Sequence, residues 1–202
     1  MAHRRASREG FSGTNRPPGA ARLRHQAPRK SPRHRLRPGE GFDREKQRWA
    51  RRPLHQSQIP GRLRSVKSWI ADTGPLIALL EEAEKYHAWT VDAVRSAPQP
   101  LLTCEAVLTE ACFILKRQQR NPNDLLVMAE RGFFRVAFDF NREQAAIRQL
   151  LAAYADLPMS FADACLVRMC ELNPEAAVWT LDRDFRVYRR HRRSSIPLVC
   201  PF

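Results

Sequence analysis

Ser68-Trp69-Ile70-Ala71-Asp72-Thr73-Gly74-Pro75-Leu76-Ile77 is the stretch that decides the fold. It is a short apolar run ending in a carboxylate, then a Thr-Gly-Pro turn with proline placed for the start of a helix. A strand that passes straight into a helix is the first step of an α/β chain. Ligands of open α/β sheets bind at the carboxyl ends of the strands, which is where Asp72 stands. Asp72 reads equally well as a plain cap of the following helix.

The alternation continues downstream. Helices are expected over Leu76–Glu84, His87–Ala97, Glu105–Arg117, Pro122–Arg131 (with Asn121 as a cap), Arg142–Tyr154 and Ser160–Leu172, and a short one over Phe185–His191. Strands are expected at Leu101–Thr103, Phe134–Phe140, Ala177–Leu181 and Ile196–Val199. Strands alternating with helices predict an α/β fold with a mainly parallel sheet of four to five strands and helices on both faces.

Upstream the chain changes character. Residues 1–67 hold 19 of the 35 Lys and Arg and 4 of the 21 Asp and Glu, so the net charge of +14 is concentrated in the N-terminal third. The remainder is close to neutral, so any nucleic-acid affinity driven by bulk charge belongs to the first segment. Residues 1–66 are rich in Arg, Pro, Ser and Gly and are expected to be disordered, with a short basic helix around Phe42–Leu54. The ordered domain is expected over 67–202. No apolar run reaches the length of a membrane span, and no secretory signal is visible. The five cysteines form no CxxC pair, which suits small buried hydrophobes in a reducing cytoplasm.

Four acids stand out. Glu110 has Ala106, Val107, Phe113 and Ile114 three and four residues away, so it is expected on an apolar stripe, where a bare charge would cost several kcal/mol, on the order of the burial penalty. Asp163 follows Ser160 at capping-box spacing, with Met159, Leu166 and Val167 as helical neighbours. Asp182 shares a strand face with Val178 and Thr180, so Thr180 is a candidate to orient it or to meet a ligand. Asp184 is a further candidate. Each alone has a structural reading: an ion pair, a dipole-favourable first turn, a strand-end turn. Together, clustered carboxylates repel unless a cation relieves them. Mg²⁺ or Mn²⁺ suits an all-oxygen site, and such sites hydrolyse phosphodiesters.

At these residues the chain resembles the PIN-domain family, in particular bacterial VapC-type toxin ribonucleases. The matching pieces are Ile70-Ala-Asp72-Thr-Gly-Pro-Leu-Ile77, Leu108-Thr-Glu110-Ala111, Ser160-Phe-Ala-Asp163-Ala164 and Thr180-Leu-Asp182-Arg-Asp184-Phe185. The resemblance implies that Asp72, Glu110, Asp163 and Asp182 are both the metal ligands and the catalytic acids, with Thr73 and Thr180 as polar neighbours. It implies a sandwich of helices about a parallel sheet, endoribonuclease activity, homodimers, and inhibition by a cognate antitoxin. The family domain normally begins the chain. The expectation is therefore that translation starts at a non-AUG codon at Val66 and that residues 1–65 are read-through; mass spectrometry of the native N-terminus tests this.

Lys116, Arg117, Arg120, Arg183 and Arg186 are candidates for RNA backbone contacts, and Arg186–Arg193 is a basic tail. His87 and His191 have no visible partner and are expected at the surface. Alternatives are a PIN-type RNA-processing nuclease outside any toxin system, or an RNA-binding adaptor driven by the basic N-terminus. A haloacid-dehalogenase-type phosphatase would want a second Asp at position 74, where Gly stands. A receiver domain would want a late Lys, and none follows Lys116.

Overall fold

Strand β1 (Ser68–Ala71) is apolar on both sides, and three of its four residues are buried. Both of its edges are taken. It pairs in parallel with β2 (Leu101–Thr103) at Ile70–Leu102 and with β4 (Ala176–Trp179) at Ile70–Val178. With β3 (Phe134–Val136) outside β2 and β7 (Leu198–Val199) outside β4, the order is β3-β2-β1-β4-β7, all parallel. Every residue of β2 and β4 is buried, the pattern of strands covered on both faces. Trp179, Ile70, Leu76 and Leu166 lie in the core, with the Trp69 and Trp179 rings 6.0 Å apart. The computed structural model describes residues 66–202. The basic N-terminal segment and the helix expected at Phe42–Leu54 lie outside the described residues.

The helices are α1 (Thr73–Leu80), α2 (His87–Val94), α3 (Glu105–Arg117), α4 (Asn123–Glu130), α5 (Phe140–Ala153) and α6 (Phe161–Leu172). Helix α1 starts at once after β1, earlier than the proline suggested, because Asp72 caps it by accepting from Thr73 N–H. Gly74 packs closely: a Cβ there would stand 3.2 Å from Leu181 Cβ, tighter than an ordinary contact. Absence of that side chain lets the segment after β4 lie against the first turn of α1.

Three expectations are corrected. The strand expected to reach Phe140 stops at Val136, because Asp139 accepts from Asn141 N–H and turns the chain into α5. The helix expected at Phe185–His191 is a single 3₁₀ turn, Arg183–Arg186, followed by a hairpin of β5 (Arg189–Arg190) and β6 (Ser194–Ser195). His191 and Arg192, with φ of 48° and 61°, form its turn. Asn121 is not the cap of α4, though its side chain accepts from Asn123 N–H.

Candidate active site

Parallel strands bring all their carboxyl ends to one edge of the sheet. Asp72 leaves β1 there, and Thr180, Leu181 and Asp182 follow β4. Asp72 is buried and doubly held. Its Oδ1 accepts from Thr73 N–H at 2.6 Å, and its Oδ2 accepts from the Thr180 hydroxyl at 2.7 Å. The same Thr180 oxygen accepts from Asp182 N–H at 2.9 Å. A fully buried threonine thus ties the end of β4 to the end of β1. The Thr73 hydroxyl reaches the other way and donates to Glu110 Oε2 at 2.9 Å, linking α1 to α3. Asp163 opens α6 in a complete capping box: its Oδ2 accepts from Ser160 N–H, and its own N–H donates to Ser160 Oγ.

The electrostatics place the four acids in one neighbourhood. Burial pushes the Asp72 carboxyl up to about 7. The Thr180 and Thr73 hydrogen bonds oppose this, and the negative charges of Asp163 and Glu110 add to it. Asp163 is also held above the usual carboxylate range, first by burial, against its bonds with Ser160, with repulsion from Asp182 and Glu110. Carboxylates that raise one another in this way are short of positive charge.

Glu110 corrects the sequence reading. It is exposed; the buried face of α3 is Val107, Ala111 and Leu115, one step round the helix. Phe113, one of the four neighbours that made the stripe look apolar, is 60% exposed, and Ala106 and Ile114 are half-buried. The penalty for burying a charge therefore does not apply to Glu110, and Thr73 accounts for its orientation. Thr180 acts on Asp72 as well as on Asp182. Asp184 N–H donates to Asp182 Oδ1, so Asp184 helps to shape the turn that carries Asp182.

Tyr188, which no residue pattern marks as a site residue, lies between the 3₁₀ turn and β5. It is wholly buried, its ring edge-on to Phe185 and Tyr154, and its hydroxyl has no hydrogen-bond partner. Burial, and then Asp163, Asp184 and Asp182, push its hydroxyl above the usual range, so it stands near the acids. Among the other candidates, Arg120 is engaged by Glu81, whose Oε1 accepts from its Nη2 at 2.7 Å. The guanidiniums of Arg183 and Arg186 each lie 5.0 Å from the Phe202 ring. His87 is not free: its Nδ1 is 2.7 Å from the Ala78 carbonyl oxygen.

Among the described residues no group of three or more His, Cys, Asp or Glu is drawn together as a ready-made ligand set. The donor chemistry nonetheless fits a hard divalent cation: oxygen donors only, mutually repelling, with one carboxyl buried. An ion that keeps part of its water shell, as Mg²⁺ does, does not need all four acids in direct contact.

The fold and site define an α/β protein with acidic side chains gathered near the carboxyl edge of a parallel sheet. The chain belongs to the PIN domain family, whose sequence model matches residues 70–190. It is similar in fold to the Mycobacterium tuberculosis toxin VapC20, which cleaves the sarcin-ricin loop: TM-score 0.55, 20% identity, 59% of this chain and 94% of that chain covered. None of the curated proteins matches it in sequence. No helix among the described residues is long and apolar enough to cross a membrane.

Proposed function

We infer that the protein is a Mg²⁺-dependent endoribonuclease and the toxin of a type II toxin–antitoxin pair. One observation carries the reading: a buried Asp72 carboxylate at the end of β1, raised to about 7 beside Asp163 and Glu110. Asp72, Glu110, Asp163 and Asp182 would hold Mg²⁺ (or Mn²⁺), directly or through water. When bound, such an ion neutralises charge at the scissile phosphate and promotes in-line attack by water.

The chain's own groups supply order. Thr180 and Thr73 N–H fix the Asp72 carboxylate, and the Thr73 hydroxyl fixes Glu110 through Oε2. That leaves Glu110 Oε1 to take a proton from the attacking water. Ser160 holds Asp163 at the head of α6. Lys116 and Arg117, exposed at the end of the helix that carries Glu110, would meet substrate phosphates. The toxin reading brings with it an RNA substrate, a homodimer, a cognate antitoxin and a cytoplasmic location; the similarity of fold to VapC20 supports it.

The test is cleavage of total RNA by the full chain with Mg²⁺, with EDTA, and with Asp72→Asn. Discrete fragments only in the first case support the reading. Equal cleavage by wild type and Asp72→Asn defeats it.

A further inference from the structure

A cavity of about 380 Å³ lies outside the acid cluster. Its walls include the starts of three helices: Cys104 and Glu105 at the head of α3, Asp139, Phe140 and Asn141 at the head of α5, and Phe161 of α6. Phe140 and Phe161 are each 45% exposed, and their rings meet edge to face at 5.4 Å. Phe161 stands two residues before Asp163 on α6. Cys104 directly follows β2, the neighbour of β1, at the edge where Asp72 lies.

Three helix N-termini would ordinarily attract an anion. Two of them are already capped. Asp139 accepts from Asn141 N–H and Ser160 accepts from Asp163 N–H, while Cys104 at the head of α3 makes no side-chain cap bond. Glu105 and Asp139 add negative charge at the walls, so a phosphate is disfavoured. Exposed aromatic faces beside carboxylate acceptors suit a flat ring that carries N–H donors.

We propose that this cavity is a nucleobase subsite, in which Phe140 and Phe161 stack a splayed-out base and Glu105 accepts from its exocyclic amine. Unpaired RNA bases are recognised in this way, by stacking and by hydrogen bonds to their edges. A carboxylate accepts from the N4 amine of cytosine and repels the O4 of uracil, which has the same shape. The subsite therefore prefers cytosine to uracil. The inference takes its ligand class from the nuclease reading above but does not depend on cleavage.

The experiment measures binding of fluorescent oligocytidylate and oligouridylate of equal length to the full chain. EDTA prevents cleavage, and high salt suppresses attraction to the basic N-terminal segment. Wild type is expected to bind oligocytidylate on the order of ten-fold tighter. Glu105→Gln, whose amide serves either base, is expected to abolish that ratio by raising oligouridylate affinity toward that of oligocytidylate. The double variant Phe140→Ala and Phe161→Ala is expected to weaken both oligomers by about ten-fold, the scale of one lost stack. Equal binding of the two oligomers by wild type, or a ratio that survives Glu105→Gln, overturns the subsite. So does a double variant that changes only the oligomeric state in light scattering, which would assign the two rings to a second copy of the chain. A base ratio without Mg²⁺-dependent cleavage would sink the nuclease reading alone; cleavage without a ratio would sink the subsite alone.

Discussion

Asp72→Asn should make the metal-free protein more stable at neutral to alkaline pH while removing its activity. Burial raises the Asp72 carboxyl from its usual 3.8 to about 7. A carboxyl raised on folding binds its proton more tightly in the folded chain than in the unfolded one. Its contribution to stability is fully present below about pH 4, is lost progressively as pH rises, and is gone above about pH 7. A rise of about three units corresponds to about 4 kcal/mol lost at high pH. Asparagine cannot ionise, so it escapes that loss. It disturbs the hydrogen bond from Thr180, whose hydroxyl also serves Asp182 N–H. That disturbance costs about 1 kcal/mol at every pH. The net expectation in EDTA is a variant more stable by about 2–3 kcal/mol near pH 8 and less stable by about 1 kcal/mol near pH 4. Urea unfolding of both proteins across this range, with divalent ions chelated, reads the crossover directly. A stability difference that does not change with pH, or an Asp72→Asn protein that is weaker throughout, would refute the reasoning.

Thr180→Val removes both the donor to Asp72 Oδ2 and the acceptor for Asp182 N–H; unfolding is expected to show a loss of about 1–3 kcal/mol, and the pH–rate profile should move to higher pH because Asp72 loses its main charge-stabilising bond. Arg168 is mostly buried and ties Glu143 of α5 to Glu171 of α6, at 2.6 and 2.8 Å. Arg168→Met should cost about 1–3 kcal/mol in denaturant unfolding and leave cleavage at low temperature unchanged. Deleting residues 1–65 should remove most of the salt-sensitive RNA affinity, read as a flatter dependence of log K on log salt, while Mg²⁺-dependent cleavage persists.

The parallel sheet was legible in the sequence because its buried strands are nearly continuous apolar runs, and because Asp72 and Ser160 mark helix starts. The misread segment lies after Asp184. There Phe185 and Tyr188 recur at a helical interval of three, yet the chain makes one 3₁₀ turn and a hairpin. Left-handed conformations at His191 and Arg192, neither of them glycine, leave no mark in a residue pattern. The acids themselves were visible as carboxylates in unusual places, but how they are held was less so. Glu110 looked buried because Ala106, Val107, Phe113 and Ile114 surround it at helical spacing, yet of these only Val107 is buried. The double role of Thr180 depends on the register of β1 against β4, which places Trp179 opposite Ala71. A pairing between strands far apart in the chain cannot be read from either strand alone.

The central claim is that Asp72, Glu110, Asp163 and Asp182 share one divalent cation. Titration of Mn²⁺ into the full chain, followed by the electron paramagnetic resonance signal of the free ion, tests it without reference to cleavage. The account predicts a binding class in wild type that Asp72→Asn, Glu110→Gln and Asp163→Asn each abolish or weaken on the order of ten-fold or more, with Asp182→Asn weaker in effect. Mn²⁺ binding unchanged in any of the first three variants, with the fold intact, would contradict it.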